Sequence, residues 1–166
     1  MNIKFNLMPR DKLAFWITLF YLTITVYSTI TVVSASKRAG HIEVAILVTI
    51  IISVISLIIY APGPSSYEID AKGISIHRIL GTIFIPHNII IGIEEVRSVL
   101  FKEHNGNGGL FSYYGTYLVT GGEKSKVYAT RLDTLVKIAT NEMTYYISPD
   151  NAQMFVNIEQ PYLSQK

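Results

Sequence analysis

Twenty-three consecutive residues near the start of the chain, Leu13 to Ala35, carry no charge. As a helix this run is about 34 Å long, enough to cross a hydrocarbon core of about 30 Å. A second uncharged run, Val44 to Ala61, follows almost at once and is rich in Ile and Val. A chain of 166 residues has room for one soluble domain and an anchor, and little interior in which to hide two such runs. Two transmembrane helices are therefore expected, at about 13–35 and 43–61. A signal peptide is the competing reading of the first run. Lys4, Arg10 and Lys12 form a basic lead, and Val33-Ser34-Ala35 has the small residues of a cleavage site. The apolar stretch is about twice the usual length, however, and a second span follows, so an uncleaved hairpin is the better reading.

The link Ser36-Lys37-Arg38-Ala39-Gly40-His41 is short enough to make the spans antiparallel neighbours, with both chain ends on one side. Three Lys/Arg precede the first span, and Lys72 and Arg78 follow the second, against Lys37 and Arg38 in the loop. That balance predicts cytoplasmic termini and a cytoplasmic C-terminal half. Trp16 and Tyr60 fall near the same boundary, where amphipathic rings prefer to sit. Glu43 lies at the mouth of the second helix and is read as interfacial. Thr18, Tyr21, Thr25 and Ser28 share one face of the first helix, and Thr49, Ser53, Ser56 and Tyr60 share one face of the second. Hydroxyls in lipid-facing positions commonly bond their own preceding carbonyls. The alternative is a seam between the helices. With a turn at Arg38–Ala39 the stripes fall opposite each other, Ser28 with Thr49, Thr25 with Ser53, Tyr21 with Ser56 and Thr18 with Tyr60, which favours the seam.

Beyond Ala61 the composition becomes that of an ordinary globular domain, so the chain divides into a hairpin, 1–61, and a domain, 62–166. Nine Lys/Arg stand against ten Asp/Glu from Pro62 onward, near neutrality, which leaves no electrostatic footprint for nucleic acid. Cysteine is absent, which excludes disulfides and thiolate chemistry. Ala61-Pro62-Gly63-Pro64-Ser65-Ser66 reads as a short extended linker that starts the domain within roughly 20 Å of the bilayer. Short runs punctuated by turns then predict seven or eight strands: 66–70, 73–79, 82–85, 89–96, 110–119, 126–130, 135–139 and 145–147. A closing helix follows, with Ser148 as its N-cap, Pro149 at its first position, Asp150 in its first turn and Pro161 as its stop. The expected class is α+β: a two-helix transmembrane hairpin, then a small β-barrel or bent sheet of about seven strands closed by a C-terminal helix.

Gly109-Leu110-Phe111-Ser112-Tyr113-Tyr114-Gly115, Tyr128-Ala129-Thr130, and Tyr145-Tyr146-Ile147-Ser148-Pro149-Asp150 with Phe155 resemble the bacterial pleckstrin-homology-like (PH-like) domains over about 65–160. In those families such a domain commonly follows one or two transmembrane helices, and the resemblance implies the same arrangement here. Ser112 departs from it, standing where a third glycine is expected. Lipid-binding members carry several basic residues on the first hairpin. Asp70-Ala71-Lys72-Gly73 offers one Lys beside one Asp, and a single Lys near an anionic surface contributes only about 1 kcal/mol. Specific phosphoinositide binding is not expected, and the fold does not carry it over.

His41, His77, His87 and His104 are dispersed, with no His pair at helical spacing for a metal. Asn105-Gly106-Asn107-Gly108-Gly109 lacks the Lys-Ser/Thr of a phosphate cradle and reads as a hairpin loop or mobile lid. No Gly-x-Ser-x-Gly elbow occurs. Glu94 and Glu95 are adjacent on a strand and point to opposite faces. Tyr113, Tyr114 and Tyr117 read as core and cross-strand partners, with a binding surface as the alternative. No catalytic, cofactor or metal residue is assigned and no cofactor is expected. The expected function is a non-enzymatic, membrane-anchored interaction or scaffold module that binds a protein partner or itself. Its rivals are an accessory subunit of a larger membrane assembly and an enzyme acting on a lipid or envelope precursor.

Overall fold

The protein's computed structural model describes residues 2–97, 99–119 and 122–163. Helix α1 (Lys12–Ala39) starts where the Asp11 carboxylate accepts the Ala14 amide at 2.8 Å, and ends at Gly40, whose φ of 75° a side chain would oppose. Helix α2 (Ile42–Tyr60) returns antiparallel. The turn thus falls at Gly40-His41, slightly beyond the expected Arg38–Ala39. Both helices are long and apolar enough to cross a membrane, and little of either apolar window, 11% and 6%, is covered by the protein itself.

Register between the helices is set by Tyr21 and Ser56, whose oxygens lie 2.7 Å apart. Ser56 gives its proton to the Ile52 carbonyl, so Tyr21 is the donor. The expected Thr25–Ser53 pair is not formed. At 3.6 residues per turn Ser53 sits about 60° round from Ser56, on the side away from the half-buried Ile52 and Ile59, so it is exposed and bonds the Thr49 carbonyl. Thr23, Thr29, Thr31 and Thr49 likewise bond carbonyls four residues back. One polar pair clasps the hairpin, and the other hydroxyls mostly satisfy themselves.

Ten strands occur among the described residues, more than the seven or so expected, in two sheets rather than one closed barrel. The first sheet has the order β1 (Ile3–Phe5), β2 (Pro64–Ile69), β3 (Gly73–Arg78) and β4 (Gly81–Pro86), all antiparallel. Pro86, which cannot donate to a ladder, ends β4, and a single 3-10 turn, His87–Ile89, carries the chain away. That break separates the sheets. The second contains β5 (Ile90–Arg97), β6 (Phe101–Gly108), β7 (Tyr113–Val119), β8 (Lys124–Ala129), β9 (Thr134–Thr140) and β10 (Thr144–Ile147), in the order 5-9-10-8-7-6. Residues 105–108, expected in a loop, are the end of β6. Gly106 there faces Gly115 across the ladder, too closely for a side chain on either.

Helix α3 (Ala152–Leu163) is capped by the Asn151 side chain, which accepts the Met154 amide at 2.9 Å. The expected cap, Ser148, instead accepts the Thr130 amide at 2.8 Å, tying β10 to the end of β8. Pro161 lies within the last turn of α3 rather than stopping it. The helix lays Ala152, Phe155 and Val156 onto a core shared by both sheets, with Tyr67, Ile74, Ile76 and Ile85 from the first and Ile93, Val136, Ile138 and Ile147 from the second. The opposite face of the second sheet holds Val127, Ala129, Leu135 and Tyr146, and there Ala14 of α1 is fully buried against Tyr113 and Tyr117.

The N-terminal residues, expected only as a basic lead, belong to this β domain. Ile3, Lys4 and Phe5 pair with Ile69, Glu68 and Tyr67, Phe5 packs on Phe155 at 4.9 Å, and Leu7 bridges Pro149. A division at 61/62 therefore leaves one strand of the β domain before the helices. Phe5→Ala should cost about 3–5 kcal/mol by removing a buried ring. Lys4→Ala, on the exposed face of the same strand, should stay within about 0.5 kcal/mol. Thermal melts of the full chain in mild detergent test both.

Glu159 of α3 is buried, with Oε1 2.7 Å from His87 Nδ1 in a contact whose angles fall short of a hydrogen bond, and Oε2 has no hydrogen-bond partner among the described residues. His87 stacks on Tyr162 at 4.3 Å and donates from Nε2 to the Asp70 carbonyl at 2.9 Å. Burial holds the Glu159 carboxyl above its ordinary range, and the charge of His87 pulls it back only in part. A carboxyl with a raised folded-state pKa binds its proton more tightly when folded. Its contribution to stability is therefore full below the unfolded value and is lost as pH rises through the folded one. The melting temperature should fall as pH rises out of the ordinary carboxyl range, and Glu159→Gln should flatten that slope; an unchanged slope would refute the assignment.

Candidate functional site

The helices meet the sheets at a collar of named contacts. Asp11 is its hub. Besides capping α1, one oxygen accepts the Tyr113 hydroxyl at 3.1 Å and the other the Leu132 amide at 3.3 Å, while its own amide donates to the Thr130 carbonyl at 3.4 Å. Burial, and next the Asp11 charge, push the Tyr113 phenol far above its ordinary value, so it remains a donor to that carboxylate at any physiological pH. Three elements, α1, β7 and the segment after β8, are joined through one side chain.

Phe111 is the knob of the collar. Its amide donates to Thr18 Oγ1 at 2.9 Å, and its carbonyl accepts Arg10 Nε at 2.6 Å. Its ring stands edge-on between Tyr21 of α1 and Tyr60 of α2, at 5.7 and 5.6 Å. The φ of 66° at Phe111 is a left-handed conformation that costs a non-glycine residue roughly 1–2 kcal/mol. Two backbone hydrogen bonds and two ring contacts offset that cost. Asn107 shapes the approach: its amide oxygen accepts the Gly109 and Leu110 amides, and its NH2 donates to the Leu110 carbonyl at 2.7 Å. Beside the knob the Tyr114 hydroxyl donates to the Ile59 carbonyl at 2.6 Å, near the end of α2, and Ser112 packs so closely on Gly63 that a methyl there would overlap its Oγ.

The collar places the sequence candidates as follows. Tyr113 and Tyr117 are core residues and Tyr114 is a clamp on α2, so the three are not a free binding face. Thr18 is buried and serves Phe111 rather than Tyr60. The histidines stay apart: His41 pairs with Glu43 in the hairpin turn, His77 with Glu68, and His87 with Glu159, while the His104 side chain lies outside the described residues. Among the described residues no three His, Cys, Asp or Glu side chains converge on a point. Glu94 pairs with Lys137 and Glu95 with Arg97. In the first hairpin Asp70 accepts the Lys72 and Gly73 amides, which hold its carboxyl below the ordinary range. Sequence reasoning missed Arg10, Asp11 and Phe111 as a group. An Asp directly before a long apolar run is an N-cap signal and could have flagged Asp11.

The sequence model of one family, described as bacterial PH domain, matches residues 65–160. The chain belongs to that family. Comparison with curated proteins and with solved structures gives no match. The matched region runs from β2 into α3 and so omits β1, both long helices and the helix side of the collar.

The tightest point of the collar is testable. Gly63→Ala should destabilise the full chain by roughly 1–3 kcal/mol, because the new methyl meets Ser112 Oγ and crowds the Tyr60 carbonyl. Ser112→Gly in the same chain should restore part of the loss, since it clears only one of those neighbours. Equal melting temperatures for the single and double variants would show that the contact does not govern the junction.

Proposed function

We propose that this protein is a membrane-anchored, non-enzymatic interaction module. In this reading α1 and α2 span a bilayer as an antiparallel hairpin and hold the PH domain against the membrane surface, where it binds a protein partner or a second copy of itself. The observation that carries the reading is the contrast between the two ends of the helices. Their long apolar flanks are bare of protein cover, while their β-domain ends are locked to a folded domain by Asp11, Phe111 and the β1–β2 pair. Bare apolar helices of this length need lipid or other helices around them. Trp16 and Tyr60, both exposed, lie at the β-domain end, where an interfacial aromatic belt would sit. The Lys/Arg balance supports a cytoplasmic β domain.

The chain has no cysteine, so single cysteines report topology without a background. With an impermeant maleimide applied to intact cells, Arg38→Cys should be labelled and Lys72→Cys should react only after permeabilisation. Lys72 labelled from outside would invert the topology, and labelling of both would remove the spanning reading. The protein solubilised in mild detergent should migrate above the detergent-bound monomer. A strictly monomeric, partner-free particle would count against an interaction role.

A further inference from the structure

We propose that the β3–β4 hairpin tip, Ile79-Leu80, is a third membrane contact, dipping into the lipid headgroup region beside the end of α2. This deepens the spanning reading above and rests on it. The last registered pair of the hairpin is Arg78 with Gly81, so Ile79 and Leu80 form a two-residue turn. Turns that tight normally carry Gly, Asn or Asp, and large apolar side chains there gain nothing from water. Here both are strongly exposed, Ile79 at 57% and Leu80 at 63%.

The position of the tip supplies the occupant. β2 starts at Pro64, three residues after Ala61, and Pro64 is registered with Arg78. β3 therefore runs back to where α2 ends, and the Leu80 amide donates to the Ala61 carbonyl at 3.3 Å. With Tyr21 opposite Ser56, Trp16 also lies level with Ala61. The tip is thus at the height of Trp16 and Tyr60, continuous with the bare apolar surface of the helices. Arg78 stands on the shoulder of the turn, its guanidinium 5.5 Å from the Tyr128 ring centre, and on the same side Lys12 starts α1 with Arg10 just before its cap. Apolar tips flanked by cations match an anionic bilayer surface. The opposite end of the same strands is an internal contrast: the β2–β3 turn there is Asp70-Ala71-Lys72, with Ala71 and Lys72 exposed and polar backbone caps on Asp70.

The test uses the full chain with an environment-sensitive fluorophore on single cysteines, reconstituted in vesicles of equal parts phosphatidylethanolamine and phosphatidylglycerol. Reporters at Leu80→Cys and, separately, Ile79→Cys should be quenched severalfold more by lipids spin-labelled near the headgroup than a reporter at Ala71→Cys, which should respond to aqueous iodide instead. A reporter at Ile51→Cys, in the middle of α2, should respond to lipids labelled deep in the chain. If Ile51 responds and both tip reporters behave like Ala71, the tip contact is overturned and the spanning reading stands. If Ile51 is reached only by iodide, the spanning reading falls and the tip contact falls with it.

Discussion

The architecture depends on the pairing of a three-residue strand with a strand that begins almost 60 residues later. β1 and β2 flank the two long helices in the chain and are hydrogen-bonded to each other. This pairing closes the helical hairpin at its base, so both helix ends leave the same sheet. The antiparallel course of α1 and α2 is thereby imposed from the β domain as well as by the short turn at Gly40. A three-residue strand is a weak closure by itself, and Phe5 gives it strength by entering the shared core against Phe155. The core of the domain and the geometry of the helices are consequently one cooperative problem.

The collar extends the same constraint. Between α2 and β2 lie only Ala61, Pro62 and Gly63, and no flexible tether is left once Ser112 packs on Gly63 and Tyr114 reaches the Ile59 carbonyl. Polar bonds with partners far apart in sequence, such as Tyr113 to Asp11 and Phe111 to Thr18, are part-buried, where competition from water is reduced. The left-handed Phe111 is tolerated because its neighbours on both helices hold it from either side. A domain attached in this way has a fixed attitude relative to its helices.

Much of this was legible in the sequence, and what was missed has physical causes. The helices showed themselves because uncharged runs of that length have few other uses. β3, β5 and β9 showed themselves through β-branched alternation or apolar runs of strand length. β1 did not, because Ile3-Lys4-Phe5 is too short to display a period and its partner lies beyond both helices. β6 did not, because Asn105-Gly106-Asn107-Gly108 has turn composition, and only the close approach of Gly115 makes glycine the right residue on that strand. Ser148 looked like a helix cap since Ser before Pro-Asp is a good local cap, yet the Thr130 amide across the sheet claimed its hydroxyl. The polar stripes were half right: helical spacing identified Tyr21 and Ser56, but could not show that the buried face of α2 is centred on Ile52 and Ile59.

The family match covers 65–160, and so includes the β-domain side of the collar but excludes β1 and both helices. Within it, Ser112 stands where the family resemblance suggests glycine, and it is the residue that fills the space above Gly63. Ser112 thus lies on the surface turned toward the helices, beside the Tyr114 bond to the Ile59 carbonyl. The surfaces turned away from the helices include the exposed β4 edge with Phe84 and the far turn at Asp70–Lys72. On the spanning reading, a rigid collar then fixes the distance of those surfaces from the bilayer. β2 and β3 are each about 20 Å long at the extended-strand rise, so the Asp70–Lys72 turn lies at most about that far from the helix ends. The collar contacts hold that turn closer to one height and orientation than a flexible linker of the same composition would.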